Sequence, residues 1–535
     1  MGKRVLVIGA GCAGLTCIKS CLDEGLEPVC MERTDIMGGL WYFKERHDQW
    51  PEQGSVNRST VINTSKEMMA FSDYPLPADY ANFVHNTKVL EYFRDFAQHF
   101  GLNKYIHYNK EVVLVKRAKD FDRTGQWDVE SRDHKSGAEK TEVFDFVLVC
   151  SGHHAQTYKP DFPGIKDFQG KVIHSKEFKD CRGFEGKKVM VVGIGNSGGD
   201  CASELAKYSW VILSTRRGAW IQNRIGPHGI PLDIGRTRRF NLLLKSFMPR
   251  WFFLWQWKRL LNYKMNHDIY SMTPDFEPDA THPTVNDDMA NRIAAGMIKV
   301  KPDIRRFTKT GVEFVDGSFE DNVDTVILAT GYVIGFPMVE KGVIDVKENN
   351  LKLYKHMFCP DLTKPTIAFI GNIQPLGSIM PIAELQGRVA VRVFKGLCQL
   401  PSREEMWESI KARQARMGAR YVKSKRHTIQ VDLIPFCDEL ADMIGVKPNL
   451  AKLWLTDPVL AREVFFGPST PYQYRLQGPC KWSGARETIL TQMDRVRQPL
   501  QTRPLPRKAG DQSISFIYIL IAVILPALLY FFRFI

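Results

Sequence analysis

Short apolar runs that close on a glycine recur along the chain, and they set the reading. Val5-Leu-Val-Ile8 ends at Gly9, and helix-compatible sequence follows Gly14. An unbroken apolar run, a glycine turn and then a helical pattern predict a buried parallel strand with its crossover helix, the unit of an α/β fold. Runs of the same kind lie at 145–152, 189–192, 324–331 and 364–371, and two further apolar runs, 27–32 and 210–213, lead instead to Glu32 and to Ser214-Thr-Arg216. Longer helical patterns cover 88–100 and 376–397, the second with Pro381 in its first turn. Residues 401–501 mix helix and loop without readable chemistry. Asp145-Phe-Val-Leu-Val-Cys-Ser-Gly152 and Asp324-Thr-Val-Ile-Leu-Ala-Thr-Gly331 repeat one pattern, each downstream of its own glycine fingerprint. That echo predicts two related nucleotide-binding units.

The first fingerprint is Gly9-Ala10-Gly11-Cys12-Ala13-Gly14. Its glycines serve a tight turn, close approach to a pyrophosphate and close helix–strand packing, and the next helix aims its N–H groups at the phosphates. Glu32, eighteen residues after Gly14, stands where an acid takes ribose hydroxyls and repels a 2′-phosphate. This site suits FAD or NAD, not NADP. The second fingerprint is Gly193-Ile-Gly195-Asn-Ser197-Gly198-Gly199-Asp200. Eighteen residues after Gly198 stands Arg216, whose guanidinium suits the 2′-phosphate of NADP(H). Gly38-Gly39-Leu40-Trp41 reads as a backbone approach to a flat cofactor or as an ordinary turn. Asn63 precedes Thr64 and Ser65, and from spacing alone the three read as a helix N-cap.

Composition changes this picture little. A formal charge of +14 fits an anionic membrane or phosphorylated cofactors. No zinc-ligand spacing or RNA-binding pattern is present, so neither a metal site nor a nucleic-acid partner is expected. The 11 cysteines are odd in number and scattered, as in a reducing compartment. Cys12 and Cys17 have a redox-like spacing, but Cys12 sits inside the phosphate turn, so both read as packed thiols. The chain starts straight into a strand, which predicts no secretory leader.

Residues 514–532 carry no charge and as a helix would reach roughly 28 Å, close to a bilayer core. Following a Pro-rich linker, they read as a tail anchor with the body in the cytosol, rather than as a core helix. On that topology the acceptor sequences at Asn57 and Asn63 escape glycosylation. Residues 236–264 are basic and aromatic, suiting either a membrane interface or a core helix pair with charged edges.

Phe168-Gln-Gly170-Lys-Val-Ile-His174-Ser-Lys-Glu-Phe178, just before the second fingerprint, fits F-x-G-x-x-x-H-x-x-x-Y/W with Phe at the last place. With both fingerprints, the chain resembles the flavin-containing monooxygenases over its whole length. Glu32-Arg-Thr-Asp, Ser214-Thr-Arg-Arg-Gly-Ala-Trp and Ile373-Gln-Pro-Leu-Gly look most like the fifth mammalian isoform. The resemblance implies two Rossmann-like domains plus a C-terminal membrane helix. An FAD domain (1–154 and 330–445) would be interrupted by an NADPH domain (155–329, with an insertion near 236–300). An extension and linker (446–512) would lead to the anchor. It implies that Gly9, Ala10, Gly11, Cys12, Ala13, Gly14, Glu32, Leu40, Trp41, Asn63 and Thr64 touch FAD. Ile62, Asn63, Ser197, Gly198, Gly199, Asp200 and Arg216 would touch NADP, and Asn63 becomes the leading catalytic residue. His174 would link the domains structurally.

The implied mechanism is hydride transfer from NADPH to FAD, then a C4a-(hydro)peroxyflavin that oxygenates a soft nitrogen or sulfur nucleophile. Rivals are Baeyer–Villiger oxidation or peroxide-producing NADPH oxidation, and a non-oxygenating reductase or NADPH sensor. The implied partners are a small-molecule substrate, O₂ and the endoplasmic reticulum membrane, with the body facing the cytosol. A homo-oligomer stays open.

Overall fold

The computed structural model describes residues 2–45, 53–425 and 427–503. Ten strands form two parallel sheets. They are β1 (Arg4–Ile8), β2 (Glu27–Glu32), β3 (Ile106–Tyr108), β4 (Phe146–Val149), β5 (Lys171–His174), β6 (Lys188–Val192), β7 (Trp210–Ser214), β8 (Ile298–Lys301), β9 (Thr325–Leu328) and β10 (Ile367–Phe369). The helices that bear on the site are α1 (Cys12–Asp23), α2 (Lys66–Met69), α3 (Asn196–Leu205), α4 (Leu232–Arg236), α5 (Arg239–Phe247), α6 (Arg250–Lys264), α7 (Met380–Phe394) and α8 (Arg403–Arg420).

The first sheet runs β3-β2-β1-β4-β10 and the second β8-β7-β6-β9-β5, with every pairing parallel. Each is a Rossmann-type arrangement, with its glycine turn at the C-terminal end of the central strand. The continuous apolar runs are explained by burial on both faces. Val5 and Val7 of β1 pack into one core with α1 and α7, whereas Leu6 and Ile8 pack into another with Val112, Val129 and Phe144. The second sheet repeats this. Val189 and Val191 face α3, while Met190 and Val192 face Ile304, Val312 and Phe314. In both units the far face is covered by a three-stranded antiparallel sheet. The two echoed runs occupy matching places, β4 beside β1 and β9 beside β6.

The second sheet is inserted into the first. The chain leaves after β4 and returns after β9, and the two crossings pair antiparallel, with Gln156 opposite Val333 and Thr157 opposite Tyr332. His174, fully buried, bridges this joint through Nε2 to the Gly331 carbonyl (3.1 Å). Burial pushes its pKa down to about 4, so the ring is neutral, and its Nδ1 accepts from the Lys176 N–H. Phe178 at the end of the family signature is buried against Phe184 (5.7 Å between centroids), an apolar packing role.

Beyond residue 446 the chain packs back onto the first unit. Tyr472 donates to Glu67 (2.8 Å), and the buried Arg475 bonds Glu384 (2.8 Å) and Asp73 (2.9 Å). Removing one partner from such a buried set strands a charge, so these pairs fix the extension in place. Residues 514–532 lie outside the described residues. Among the described residues, no helix is long and apolar enough to cross a membrane.

Candidate functional site

The first phosphate cradle follows from three glycines. Gly9 holds φ +98°, a left-handed conformation that only glycine adopts readily, and its N–H donates to Met31 O (2.9 Å). A Cβ on Gly14 would lie 1.9 Å from the Gly9 carbonyl oxygen, so no other residue fits there. Gly11 caps α1 without a side-chain bond, which leaves the first-turn N–H groups open to an anion. The Gly38-Gly39 pair closes on this turn: the Gly38 N–H donates to Ala10 O (3.0 Å), and a Cβ on Gly39 would stand 3.3 Å from the Gly11 Cα. That pair is therefore a close backbone approach. Leu40 and Trp41 follow on a short 3-10 turn, Leu40 at the boundary of exposure.

Glu32 is buried at the end of β2. Its Oε2 accepts from the Ala10 N–H (2.8 Å), and its Oε1 from the Thr34 N–H (3.0 Å) and hydroxyl (2.7 Å). The acid thus holds the turn itself, and its remaining lone pairs are available to a ribose. Cys12 and Cys17 are free thiols, and burial raises Cys12 to about 11, which rules out a poised thiolate there.

The second cradle repeats the first. Gly193 has φ +100° and donates to Ser214 O (2.9 Å), and a Cβ on Gly198 would lie 1.9 Å from the Gly193 carbonyl oxygen. Gly195 caps α3, again without a side-chain bond. Ser197 is exposed on the first turn, and Gly199 packs beside Thr284, where a Cβ would meet Cγ2 at 3.2 Å. Asp200 lies one turn on. Burial lifts its carboxyl to about 6, against the pull of the Arg224 charge. Arg216 and Arg217 are both exposed beyond β7. Arg217 is engaged by Asp275 (2.7 Å), whereas Arg216 has no ion pair among the described residues.

The two units meet at Asn63. The Ile62 N–H donates to Val84 O (3.0 Å) and the Lys66 N–H to Asn82 O (2.8 Å), which pins the Asn63-Thr64-Ser65 loop at both ends. Side chains from the second unit hold the loop between them. Arg224 Nη2 donates to Asn63 Oδ1 (2.8 Å), while its Nη1 pairs with Asp287 (2.8 Å). Asp233 on α4 accepts from the Ser65 N–H at 2.6 Å. Ser65 is the N-cap residue of α2, but its side chain makes no cap bond. Asp233 instead takes the N–H of the cap residue itself, and its burial raises its pKa. Asn63 is not the cap. Its Oδ1 is fixed by a donor-only guanidinium, so its Nδ2 hydrogens are the groups left for a ligand. They have no partner among the described residues.

Sequence reasoning reached Asn63, Thr64, Glu32 and Arg216 but not Arg224, Asp233 or Asp287. No local pattern marks Arg224, which follows Gln222 and Asn223 in a mixed polar stretch. The residues present fit dinucleotides. Two uncapped helix ends face glycine cradles, and Gln53 Oε1, Ser151 Oγ and Arg224 Nε are buried without a partner beside them. Gln53 donates through Nε2 to Gly39 O (3.4 Å), and Ser151 adjoins the carbonyl packed on Gly9. Among the described residues no cluster suits a metal ion.

Two phosphate cradles, one finished by an acid and one by a base, joined at a polar loop, define an oxidoreductase that passes electrons between two dinucleotides. The profile of the flavin-binding monooxygenase-like family matches residues 2–533, and the chain belongs to that family. It is 50% identical to flavin-containing monooxygenase 5 of Rattus norvegicus over 98% of both chains. It is 46% identical to dimethylaniline monooxygenase [N-oxide-forming] 2 of Mus musculus, over 100% of this chain and 99% of that one. Among solved structures, S-allyl-L-cysteine S-oxygenase of Allium sativum shares the fold with a TM-score of 0.63 and 24% identity, over 91% of this chain and 99% of that one. The chain is a flavin monooxygenase, and its cofactors are FAD and NADPH.

Proposed function

We propose that the chain oxygenates soft nitrogen- or sulfur-containing small molecules, taking one atom of O₂ into the product and releasing the other as water, with FAD in the Glu32 cradle and NADPH in the Arg216 cradle. The observation that carries this is the Arg224–Asn63 bond (2.8 Å), because it places an oriented amide donor where the two units meet. Bound FAD supplies hydride acceptance from NADPH and oxygen activation. The chain's own residues bind, orient and shield. Gly9 to Gly14 and the α1 N-terminus hold the FAD pyrophosphate, with Glu32, Leu40, Trp41 and Thr64 along the cofactor. Ser197 to Asp200 and the α3 N-terminus would hold that of NADPH, with Arg216 at its 2′-phosphate and Ile62, beside Asn63, among the residues that touch the coenzyme. Asn63 donates from Nδ2 to the reacting oxygen or the nicotinamide carboxamide, and the protein excludes water from that point.

Arg224 favours a second reading, ketone oxygenation. Its guanidinium, held between Asn63 and Asp287, would supply positive charge where the two units meet, as a reaction at a carbonyl carbon through an oxygen nucleophile requires. Product mass spectrometry with NADPH, O₂ and a mixed panel of amines, sulfides and ketones separates the two. Oxygenated amines or sulfides support the first, esters alone support the second, and hydrogen peroxide alone defeats both. Asn63→Ala is expected to keep FAD but divert most NADPH oxidation to hydrogen peroxide. Unchanged coupling in an oxygen electrode refutes its role.

The same reading puts the body on the cytosolic face of the endoplasmic reticulum, anchored by 514–532. A stripe on α5 and α6 supports a membrane-facing role for 236–264. Phe247 (79%), Trp251 (71%), Trp255 (51%) and Tyr263 (85%) are exposed, while Leu254, Trp257 and Leu261 are buried on the opposite side.

A further inference from the structure

At the joint between α5 and α6 lies a cavity of about 430 Å³ lined by Lys245, Met248, Arg250, Phe253, Asp279 and Arg420. Its charges do not balance. Arg250 bonds Asp279 (3.0 Å), and Arg420 bonds Asp432 (2.8 Å) and the Asp279 carbonyl (3.0 Å). Lys245 has no carboxylate partner among the described residues, and its ammonium lies over the Phe253 ring, 4.6 Å from the centroid. Nearby Arg236 also has no carboxylate partner among the described residues, resting over the Trp257 ring (3.9 Å) and donating to Gln222 (3.1 Å). Lys245 is exposed at the rim, and partial desolvation of its ammonium, with Arg420 and Arg236 as neighbouring cations against Asp432 and Asp279, pulls it below the ordinary lysine pKa. The N-terminus of α6 opens at the same place. Pro249 is its cap, no side chain bonds the first-turn N–H groups, and that turn holds no acid. Three cations, one carboxylate and the positive end of a 15-residue helix thus converge on one hollow, with Arg236 and Asp432 as charged neighbours of Lys245.

We infer that this cavity is a phosphate-headgroup site for an anionic lipid. An oxyanion there offsets the excess of cations and can accept from the Arg250 and Trp251 N–H groups, the Phe252 N–H being taken by the Pro249 carbonyl. The exposed rings of Phe247 and Trp251, each next in sequence to a cavity residue, then sit at the level of the acyl chains. This rests on the reading of α5 and α6 as a membrane-facing surface and adds a specific ligand to it.

The test uses the full chain in non-ionic detergent, titrated calorimetrically with dihexanoyl phosphatidic acid, dihexanoyl phosphatidylcholine and inorganic phosphate, the lipids below their micellar concentrations. Saturable 1:1 binding of the phosphatidic acid is expected, roughly tenfold tighter than either other probe. Lys245→Ala weakens it roughly tenfold and Lys245→Arg restores it, with flavin absorbance and melting temperature unchanged. Equal binding of phosphatidylcholine, or no effect of Lys245→Ala, overturns the site. Equal binding of inorganic phosphate overturns the lipid as its source. Quenching by brominated lipid of the reconstituted protein, with and without Trp251→Phe and Trp255→Phe, reads the membrane contact alone. A quenched pair without preference for phosphatidic acid defeats only the headgroup site. An unquenched pair defeats the surface on which the site depends.

Discussion

The turns at Gly9 and Gly193 share their backbone and part company at one side chain. Their first glycines differ by 2° in φ (+98° and +100°), and both third glycines leave 1.9 Å where a Cβ would meet a carbonyl oxygen. Beyond the following strand, Glu32 turns inward and bonds the Ala10 N–H, whereas Arg216 points into solvent. The cradle is generic, and on the proposed reading the nucleotide would be chosen by what stands at the ribose end and by how deeply it is buried. A buried acid can accept two hydroxyls at fixed distance. An exposed guanidinium can follow a doubly charged phosphate.

The widest separation of the two turns comes from their third glycines. Gly14→Ala is expected to yield colourless protein, with FAD bound roughly 100-fold more weakly or not at all. Gly198→Ala should stay yellow and lose NADPH binding to a similar degree. Absorbance at the flavin band and NADPH titration check both, and loss of flavin from both variants would mean that the units are not independent. Next, Arg216→Ala should raise the KM for NADPH roughly 10- to 100-fold and leave that for NADH nearly unchanged. Arg217→Ala, whose charge is already engaged by Asp275, should do much less to either. Equal losses for both coenzymes would undo the phosphate assignment.

The joint between the units gives a smaller effect. Asp233→Ala leaves the buried Ser65 N–H without an acceptor, at a cost of about 1–3 kcal/mol in denaturant titrations, and raises the peroxide leak. Asp233→Asn keeps an acceptor and should largely restore coupling. Smallest is a pH effect confined to the second turn. The Asp200 carboxyl is held near 6, above its unfolded value of 3.8, so the native state binds the extra proton. Stability from this group is therefore present below about pH 4 and lost as pH rises to about 6, by at most about 3 kcal/mol. Asp200→Asn should flatten that slope. The matching place in the first turn is Thr16, which offers no such titration.

Much of this was legible in the chain because it is local. Strand, turn, helix and the end of the next strand lie within a few dozen residues, and glycine spacing encodes a backbone shape directly. The echo of 145–152 in 324–331 found the second unit for the same reason. Arg224 and Asp233 were not legible, since they reach Asn63 and Ser65 across 161 and 168 residues, and only the packing of one unit on the other brings them together. Ser65 shows the cost of local reasoning. The sequence left the cap open among Asn63, Thr64 and Ser65, and the acceptor of the Ser65 N–H comes from another domain. Residues beyond 446 gave no signal either, because Tyr472 and Arg475 are unremarkable until Glu67, Asp73 and Glu384 are placed around them.

The paired crossings at Gln156–Thr157 and Tyr332–Val333 also set an order of assembly. The inserted sheet is complete once Leu328 has been made, but the host sheet must wait for Ile367–Phe369, and its covering helix for Phe394. At a synthesis rate of roughly 5–20 residues per second, the inner domain has several seconds to fold on the ribosome while the outer one is still open. Newborn chains would thus acquire the coenzyme pocket before the flavin pocket, and free flavin would be needed last.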